Sequence, residues 1–321
     1  MPLRPSLVIA GASGVIGRAL IARAAPRWRV LVLTRTLDGR EPPGTEAVAW
    51  NPRAARQNDH AQLKALASIL DGTDAIVNLA GASIDGRFGP RHRRAIRESR
   101  VDATTTLVRA AELTFAPPRS WLQASAVGLY GDRGDELITE DAPPGNDLYL
   151  CEIGRAWEEA AAPAADITRL VVARLGVVFS RDAAAWRRLV LPVRLGVGGP
   201  LGSGQQWWPW IHAADLARAL LFLIDPAVGT DPPSGVFNVV APQPARQIRI
   251  TRAIARALGR PAFVPVPAFA LRLLLGRMAD EVILPSTRVL PARLREAGFE
   301  FRFGAIEHAA QSLLKRHTPT A

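Results

Sequence analysis

A chain of 321 residues, 48% hydrophobic and 21% charged, is long enough for two domains or for one large α/β domain with an added lobe, and its composition is that of a soluble globular protein rather than a disordered one. A lone cysteine, Cys151, excludes an intrachain disulfide framework and a cysteine-based zinc cluster; no apolar run reaches the ~18 residues of a membrane span, and the strand-like run at 7–10 begins too early to leave room for a signal peptide, so a reducing cytoplasm is the expected compartment. The net charge of +11 is carried almost wholly by arginine, Lys64 and Lys315 being the only lysines, and no basic tail, zinc-finger spacing or RNP-like pattern points to a nucleic-acid partner.

In chain order, β-rich runs at 7–10, 30–33, 75–79, 121–124 and 170–172 alternate with helical stretches at 16–25, 61–70, 92–113 and 150–162. Strands that alternate with helices predict an α/β fold with a doubly wound parallel sheet of Rossmann type, covered on both faces. The run Val30, Leu31, Val32 and Leu33 has no polar alternation, as a strand buried on both sides requires. After Phe179 the texture changes. Residues 196–204 form a glycine-rich loop, a proline-punctuated segment follows Pro261, a short helix is expected over 268–275, and another should end near Gly298. The division expected is therefore a dinucleotide-binding domain over 1–179 and a smaller C-terminal α/β cap lobe over 180–321, with some segments returning to the sheet.

Gly11, Ala12, Ser13, Gly14, Val15, Ile16 and Gly17 follow the first strand and open the first helix with the spacing G-x-x-G-x-x-G. A glycine turn lets a diphosphate approach the backbone, and the helix N-terminus adds free N–H groups and a positive dipole end. NAD selectivity needs an acidic residue at the end of the second strand, about 20 residues on. Here that strand ends Leu33, Thr34, Arg35, Thr36. The planar fork of Arg35 suits a 2′-phosphate, with Ser13 offering a further hydroxyl, so NADP(H) is expected over NAD(H); Asp38 is the competing residue, since a carboxylate on the ribose 2′-hydroxyl would reverse the choice. Asn78, Leu79, Ala80 and Gly81 close the next strand, and the small residues leave room for the adenosine side of the cofactor.

These motifs resemble the short-chain dehydrogenase/reductase superfamily, and more narrowly its atypical, extended branch of nucleoside-diphosphate-sugar epimerases, sometimes mislabelled cell-division inhibitors. The resemblance runs over essentially the whole chain. It is carried by residues 11–17 and 78–81, by Ser125, Ala126, Val127, Gly128, Leu129, Tyr130 and Gly131, by the stretches 198–207 and 210–215, by Gly259, Arg260 and Pro261, and by residues 298–302 in a C-terminal region characteristic of the branch. It implies NADP(H) binding, a cap lobe and a substrate cleft between them; the activity expected is that of an NADP(H)-dependent oxidoreductase or epimerase-like enzyme on a small polar or carbonyl-bearing substrate.

Members of this superfamily usually carry a Ser or Thr, a Tyr, and a Lys four residues after that Tyr. The resemblance puts Ser125 at the serine position and Tyr149 at the tyrosine position, and Ile153 replaces the lysine. Three readings stay open. Tyr149 remains the acid/base, with Arg155 or Arg100 in place of the lost cation; or Cys151, Glu152 or His212 carries the chemistry; or the protein binds NADP(H) without turnover, as a sensor or scaffold. In the second half, Gln205, Gln206, Trp207, Trp208, Pro209, Trp210, Ile211 and His212 gather aromatic faces beside amides, and Gln206, Trp207, Trp210 and His212 are expected to line the substrate cleft. His212 and Asp215 stand at i and i+3, with Asp215 a candidate helix anchor. Arg87, Arg91, Arg93, Arg94, Arg97 and Arg100 form the densest basic segment, with Arg93, Arg97 and Arg100 on one helical face. No metal site is expected, and neither is a membrane partner. The leucine-rich stretch 268–275 is read as a core or subunit-contact helix, the latter giving a homodimer.

Overall fold

The computed structural model describes residues 4–39, 41–86, 88–225 and 232–315. Arg87 of the basic segment therefore lies outside the described residues. Five strands, β1 (Ser6–Ala10), β2 (Arg29–Thr34), β3 (Thr45–Ala49), β4 (Ala75–Asn78) and β5 (Ser120–Ala126), join the later strands Arg169–Leu175 and Gly235–Val239 in one seven-stranded sheet. Every neighbour pair is parallel. The order is β3, β2, β1, β4, β5, Arg169–Leu175, Gly235–Val239, so the winding reverses between β1 and β4. In open parallel sheets a ligand crevice forms outside the carboxyl ends of strands at such a reversal.

The apolar runs explain this layering. Successive side chains of β1 point to opposite faces. Leu7 and Ile9 join a core with α1 (Val15–Ala24) and α6 (Ala213–Ile224), while Val8 and Ala10 join one with α2 (His60–Leu70) and α3 (Pro90–Ala111). Next to α3 lies α4 (Tyr149–Ala161). A separate core gathers α5 (Ala184–Arg194), α7 (Gln247–Leu258) and the Ile306–Leu314 helix around Phe179, Trp208 and Trp210. The chain does not pass once from one half to the other. After α5 it returns to the sheet through α6 and the Gly235–Val239 strand before completing the lobe.

Two expectations need correction. The helix α8 (Ala268–Leu275) is not a core helix, since only Leu271 is buried. Nor does Asp215 cap α6. The N-cap is His212, whose Nδ1 accepts the Ala214 N–H at 3.0 Å. Asp215 instead accepts the backbone N–H groups of Arg302 (3.0 Å) and Phe303 (2.7 Å) and pairs with Arg218 at 3.0 Å, while completely buried. It fastens the C-terminal segment to the sheet layer. Asp215→Ala is expected to strand two backbone donors and lower stability by about 2–4 kcal/mol. Arg218→Ala should cost about 1 kcal/mol or less, its guanidinium being partly exposed. Urea denaturation compares the two, and equal midpoints would refute the ranking.

Candidate functional site

At the reversal, β1 ends in the glycine turn. Gly11 has φ +86°, and a side chain there would lie 2.6 Å from the Leu79 carbonyl carbon and oxygen. At Gly17 one would lie 2.5 Å from the Ala12 carbonyl oxygen. These two glycines bring the turn against β4 and α1 against the turn. Gly14 differs: its nearest neighbour would be the Gly11 oxygen at 3.6 Å, so its face is open. It is the N-cap of α1, with no side-chain cap and no acidic residue in the first turn, which leaves the N–H groups around Val15 and Ile16 to an outside acceptor. Ser13 is exposed beside it, and its carbonyl accepts from Arg18. Arg35 is exposed just past the end of β2.

The β4 turn is held from beneath. Asn78 is fully buried, and its amide donates to Thr104 Oγ1 and to Gln123 Oε1, both at 2.9 Å, while its Oδ1 accepts the Ala80 N–H at 3.1 Å. Beyond Ala80, a side chain at Gly81 would meet the Arg100 Cζ at 3.0 Å. Arg100 Nη1 donates to the Ala82 and Ile96 carbonyls, both at 3.0 Å, and its guanidinium lies 4.9 Å from the Trp157 ring. Arg100 makes no ion pair among the described residues. Burial draws its guanidinium down to about 10, still charged at neutral pH, against a smaller opposing influence of Tyr149.

Tyr149 opens α4. Its hydroxyl donates to the Arg93 carbonyl at 2.8 Å, and the Arg93 guanidinium stacks 3.7 Å above its ring. Burial, then the charge of Glu152, raises the hydroxyl above its ordinary 10.0 against the pull of Arg93. Ile153, at the lysine position, is buried among Phe88, Ile96 and Met278, with Tyr149 packed on the same cluster. Glu152 is exposed, 3.8 Å from Arg97. Arg155 turns away to donate to the Gly145 carbonyl at 2.9 Å.

Ser125 stands elsewhere. It is buried, and its hydroxyl donates to Glu158 Oε1 at 2.6 Å. Glu158 is clasped by Arg174 through two bonds of 2.9 and 2.8 Å; Arg174 also donates to the Tyr130 hydroxyl at 2.9 Å, and Tyr130 donates to Asn238 at 2.8 Å. The exposed residue at the end of β5 is Ala126. Cys151 is buried, with its thiol against the Gly128 carbonyl at 3.5 Å, and burial pushes it up to about 11, so it is a protonated packing residue.

With this geometry in view, known proteins supply the family. Residues 7–240 match the NAD dependent epimerase/dehydratase family, and residues 266–313 match a domain of unknown function, DUF1731. The chain belongs to the NAD-dependent epimerase/dehydratase family. It is 34% identical to the Arabidopsis thaliana chloroplastic homolog of epimerase family protein SDR39U1, covering 96% of this chain and 86% of that one. The crystal structure of human SDR39U1 with NADPH superposes with a TM-score of 0.83 at 30% identity, covering 96% and 99% of the two chains. A Corynebacterium glutamicum nucleoside-diphosphate sugar epimerase superposes at 0.73 with 31% identity, covering 97% of this chain and 58% of that one.

In this epimerase-family chain the expected cleft residues of the second lobe prove mostly internal. Gln206 is buried, its amide donating to the Leu201 and Ile283 carbonyls at 2.9 and 3.2 Å. Trp210 is buried and stacked on Phe179 at 5.9 Å. His212 stacks on Phe303 at 3.9 Å; burial pulls its imidazole down to about 4, so it is neutral, and its Nε2 has no hydrogen-bond partner among the described residues. Only Trp207 is half-exposed. Its indole donates to Asp135 at 2.6 Å, and its ring lies between Arg246 and Arg288. Aromatic and amide groups here join strands and loops rather than line a cleft. Among the described residues no cluster of three or more His, Cys, Asp or Glu could hold a metal ion.

The glycines separate fold from binding. Gly11→Ala is expected to lower stability by about 1–3 kcal/mol, because a left-handed backbone and a filled neighbour both oppose the methyl. Gly14→Ala, at φ −71°, should keep nearly the wild-type melting temperature. Thermal unfolding of the two proteins without ligand checks this, and a Gly14→Ala loss as large as that of Gly11→Ala would overturn it.

Proposed function

We propose that this protein is an NADP(H)-dependent oxidoreductase, or an epimerase-like enzyme, acting on a small polar or carbonyl-bearing substrate with Tyr149 as the proton donor. The observation that carries this reading is continuity. The open glycine turn touches Leu79 and Ala80, Gly81 touches Arg100, and the same helix α3 carries Arg93, which stacks on the Tyr149 ring, so one run of packed elements joins a phosphate cradle to an acid. The turn fits a dinucleotide diphosphate because its Gly14 face is open and the start of α1 is uncapped. Gly11, Gly14, Val15 and Ile16 would hold the diphosphate, Leu79, Ala80 and Gly81 would flank the adenosine side, and Arg35 with Ser13 would take the 2′-phosphate. The human relative crystallised with NADPH supports that choice of cofactor. When bound, the dinucleotide supplies hydride chemistry at a carbonyl carbon.

The chain supplies the proton. Tyr149 exchanges the Arg93 carbonyl for the substrate oxygen and gives up its hydroxyl proton. The resulting phenolate is steadied by the Arg93 guanidinium over its ring and by the half-buried Arg100 charge. Arg100 thus takes the part of the missing lysine, and Ser125, bonded to Glu158, holds α4 against β5 in place of orienting substrate. A donor whose pKa is raised stays protonated as pH rises, so reduction should be flat from neutrality toward pH 10. Tyr149→Phe should cut kcat by roughly 10²–10⁴ while leaving NADPH affinity unchanged. NADPH oxidation across a carbonyl panel measures both. An alkaline decline centred well below 10, or full activity in Tyr149→Phe, would remove Tyr149 from the role.

Cofactor choice is tested separately. Arg35→Ala is expected to narrow the preference for NADPH over NADH by about tenfold or more. Calorimetric dissociation constants for both dinucleotides decide it, and an unchanged ratio would clear Arg35. A second reading, a catalytically silent NADP(H)-binding sensor or scaffold, draws on the engagement of the Tyr149 hydroxyl by a backbone carbonyl, that of Ser125 by Glu158, and the apolar residue at position 153. It predicts tight NADPH binding, no turnover with any carbonyl, and a partner whose association changes with cofactor redox state.

A further inference from the structure

The exposed large apolar side chains are not scattered. Of twelve among the described residues, eight fall in two segments, 191–197 and 263–274. The fold sets these segments side by side. Val264 N–H donates to the Gly198 carbonyl at 3.1 Å, Val266 N–H to the Pro200 carbonyl at 2.9 Å, and Gly202 N–H to the Val266 carbonyl at 2.8 Å. The absence of a side chain at Gly199 permits this, since a Cβ there would lie 2.0 Å from the Val264 oxygen. One segment enters the pairing from α5, and the other leaves it directly into α8.

The chain around these side chains is predominantly cationic, with Asp182 at the border before α5 and Asp280 and Glu281 at the border after α8. Residues 183–204 and 252–279 hold eight arginines and no aspartate or glutamate, in a chain that otherwise mixes both signs. Two of the eight reach carboxylates beyond the segments, Arg188 to Asp85 and Arg272 to Asp280. Arg187, Arg194, Arg260 and Arg277 are exposed and make no ion pair among the described residues.

We propose that this face of the C-terminal lobe docks on the surface of an anionic lipid bilayer, with Phe263, Phe269, Leu273 and Leu274 entering the headgroup boundary and the arginines meeting the lipid charges. Exposure decides the mode. Phe263, Phe269 and Leu273 are 74%, 72% and 82% exposed, so they protrude rather than line a groove into which a partner helix would lie. A second copy meeting the same face would bring arginine against arginine, whereas an anionic bilayer complements both the apolar tips and the charge. No helix among the described residues is long and apolar enough to cross a membrane, but surface docking needs no span, so the expectation of no membrane partner is replaced here. The docked face adjoins Tyr149. Leu275, Met278 and Val282, which continue from α8, pack in the cluster that holds Phe88, Ile153 and Tyr149. This inference does not depend on the cofactor reading.

Vesicle flotation of the full chain tests it, using phosphatidylcholine alone and phosphatidylcholine with one-third phosphatidylglycerol. The expected result is capture by the anionic vesicles and roughly tenfold or weaker capture by the neutral ones. Phe269→Ser with Leu273→Ser should reduce anionic capture by about tenfold or more, with an unchanged melting temperature because both side chains are exposed. Arg194→Glu with Arg277→Glu should do the same. Absence of capture by either vesicle overturns the proposal. So does anionic capture that survives the Phe269 and Leu273 substitutions, since it would be diffuse electrostatics. A dimer in sedimentation velocity that those substitutions dissociate would likewise overturn it and make the face a subunit contact.

Discussion

The site depends on how closely two strand ends approach each other. At Gly11 the backbone leaves β1 in a left-handed turn, and the Leu79 carbonyl fills the space a side chain would need. The approach is stable because Asn78, just before Leu79, is bonded into α3 through Thr104, into β5 through Gln123, and back onto its own turn through Ala80. One buried amide therefore sets three elements around the glycine turn. A buried amide in that position is held by its full complement of partners, because leaving any of them unmet would carry the full desolvation penalty. Gly81, packed on Arg100, takes its place directly beyond that junction.

A second buried network does for the opposite wall what Asn78 does for the first. Ser125 on β5, Glu158 on α4, Arg174 on the next strand, Tyr130 after β5 and Asn238 on the outermost strand form an unbroken chain of hydrogen bonds. Asn238 continues it, its N–H donating to Glu140 at 2.9 Å and its amide to the Leu290 carbonyl at 3.1 Å. A buried ion pair such as Arg174–Glu158 adds little net stability over an apolar pair, but it punishes any arrangement that separates the partners. Its value here is register: α4, and hence Tyr149 at its start, is fixed against the ends of three parallel strands.

Much of this architecture is legible in the sequence, and the failures have physical causes. The strands buried on both faces announce themselves as uninterrupted apolar runs, and the glycine spacing marks the turn because only glycine tolerates the Gly11 backbone and the Gly17 packing. The edge strand β3 is short and half-exposed, tied to β2 by the Arg29–Glu46 pair, so it lacks such a run. Helix α6 is covered on most sides, which erases the polar face that would reveal its period. Ser125 and Ala126 show why a motif alone does not place a side chain. Neighbours on a strand point to opposite faces, so one position separates a buried hydroxyl from an exposed methyl. Glu158 and Arg174 lie sixteen positions apart on different elements, and no local pattern joins them. The tryptophan-rich stretch misleads because rings that pack a core and rings that line a ligand site are the same residues.

The exchange of a lysine for Ile153 has consequences beyond the loss of a charge. An apolar residue there lets α4 pack on Phe88, Ile96 and Met278, which brings the C-terminal lobe close to Tyr149. The positive charge then arrives from α3, as Arg100 beside Gly81 and Arg93 over the Tyr149 ring. A guanidinium differs from an ammonium in what it can do. Arg100 stays charged at neutral pH, and two of its donor bonds go to the Ala82 and Ile96 carbonyls, so it is held in place as a fixed positive charge. Tyr149 is only partly buried, however, and water reaches it. Under the proposed function, a proton given up by Tyr149 would therefore be returned by solvent, which would separate the timing of proton return from that of the chemistry at the substrate carbon.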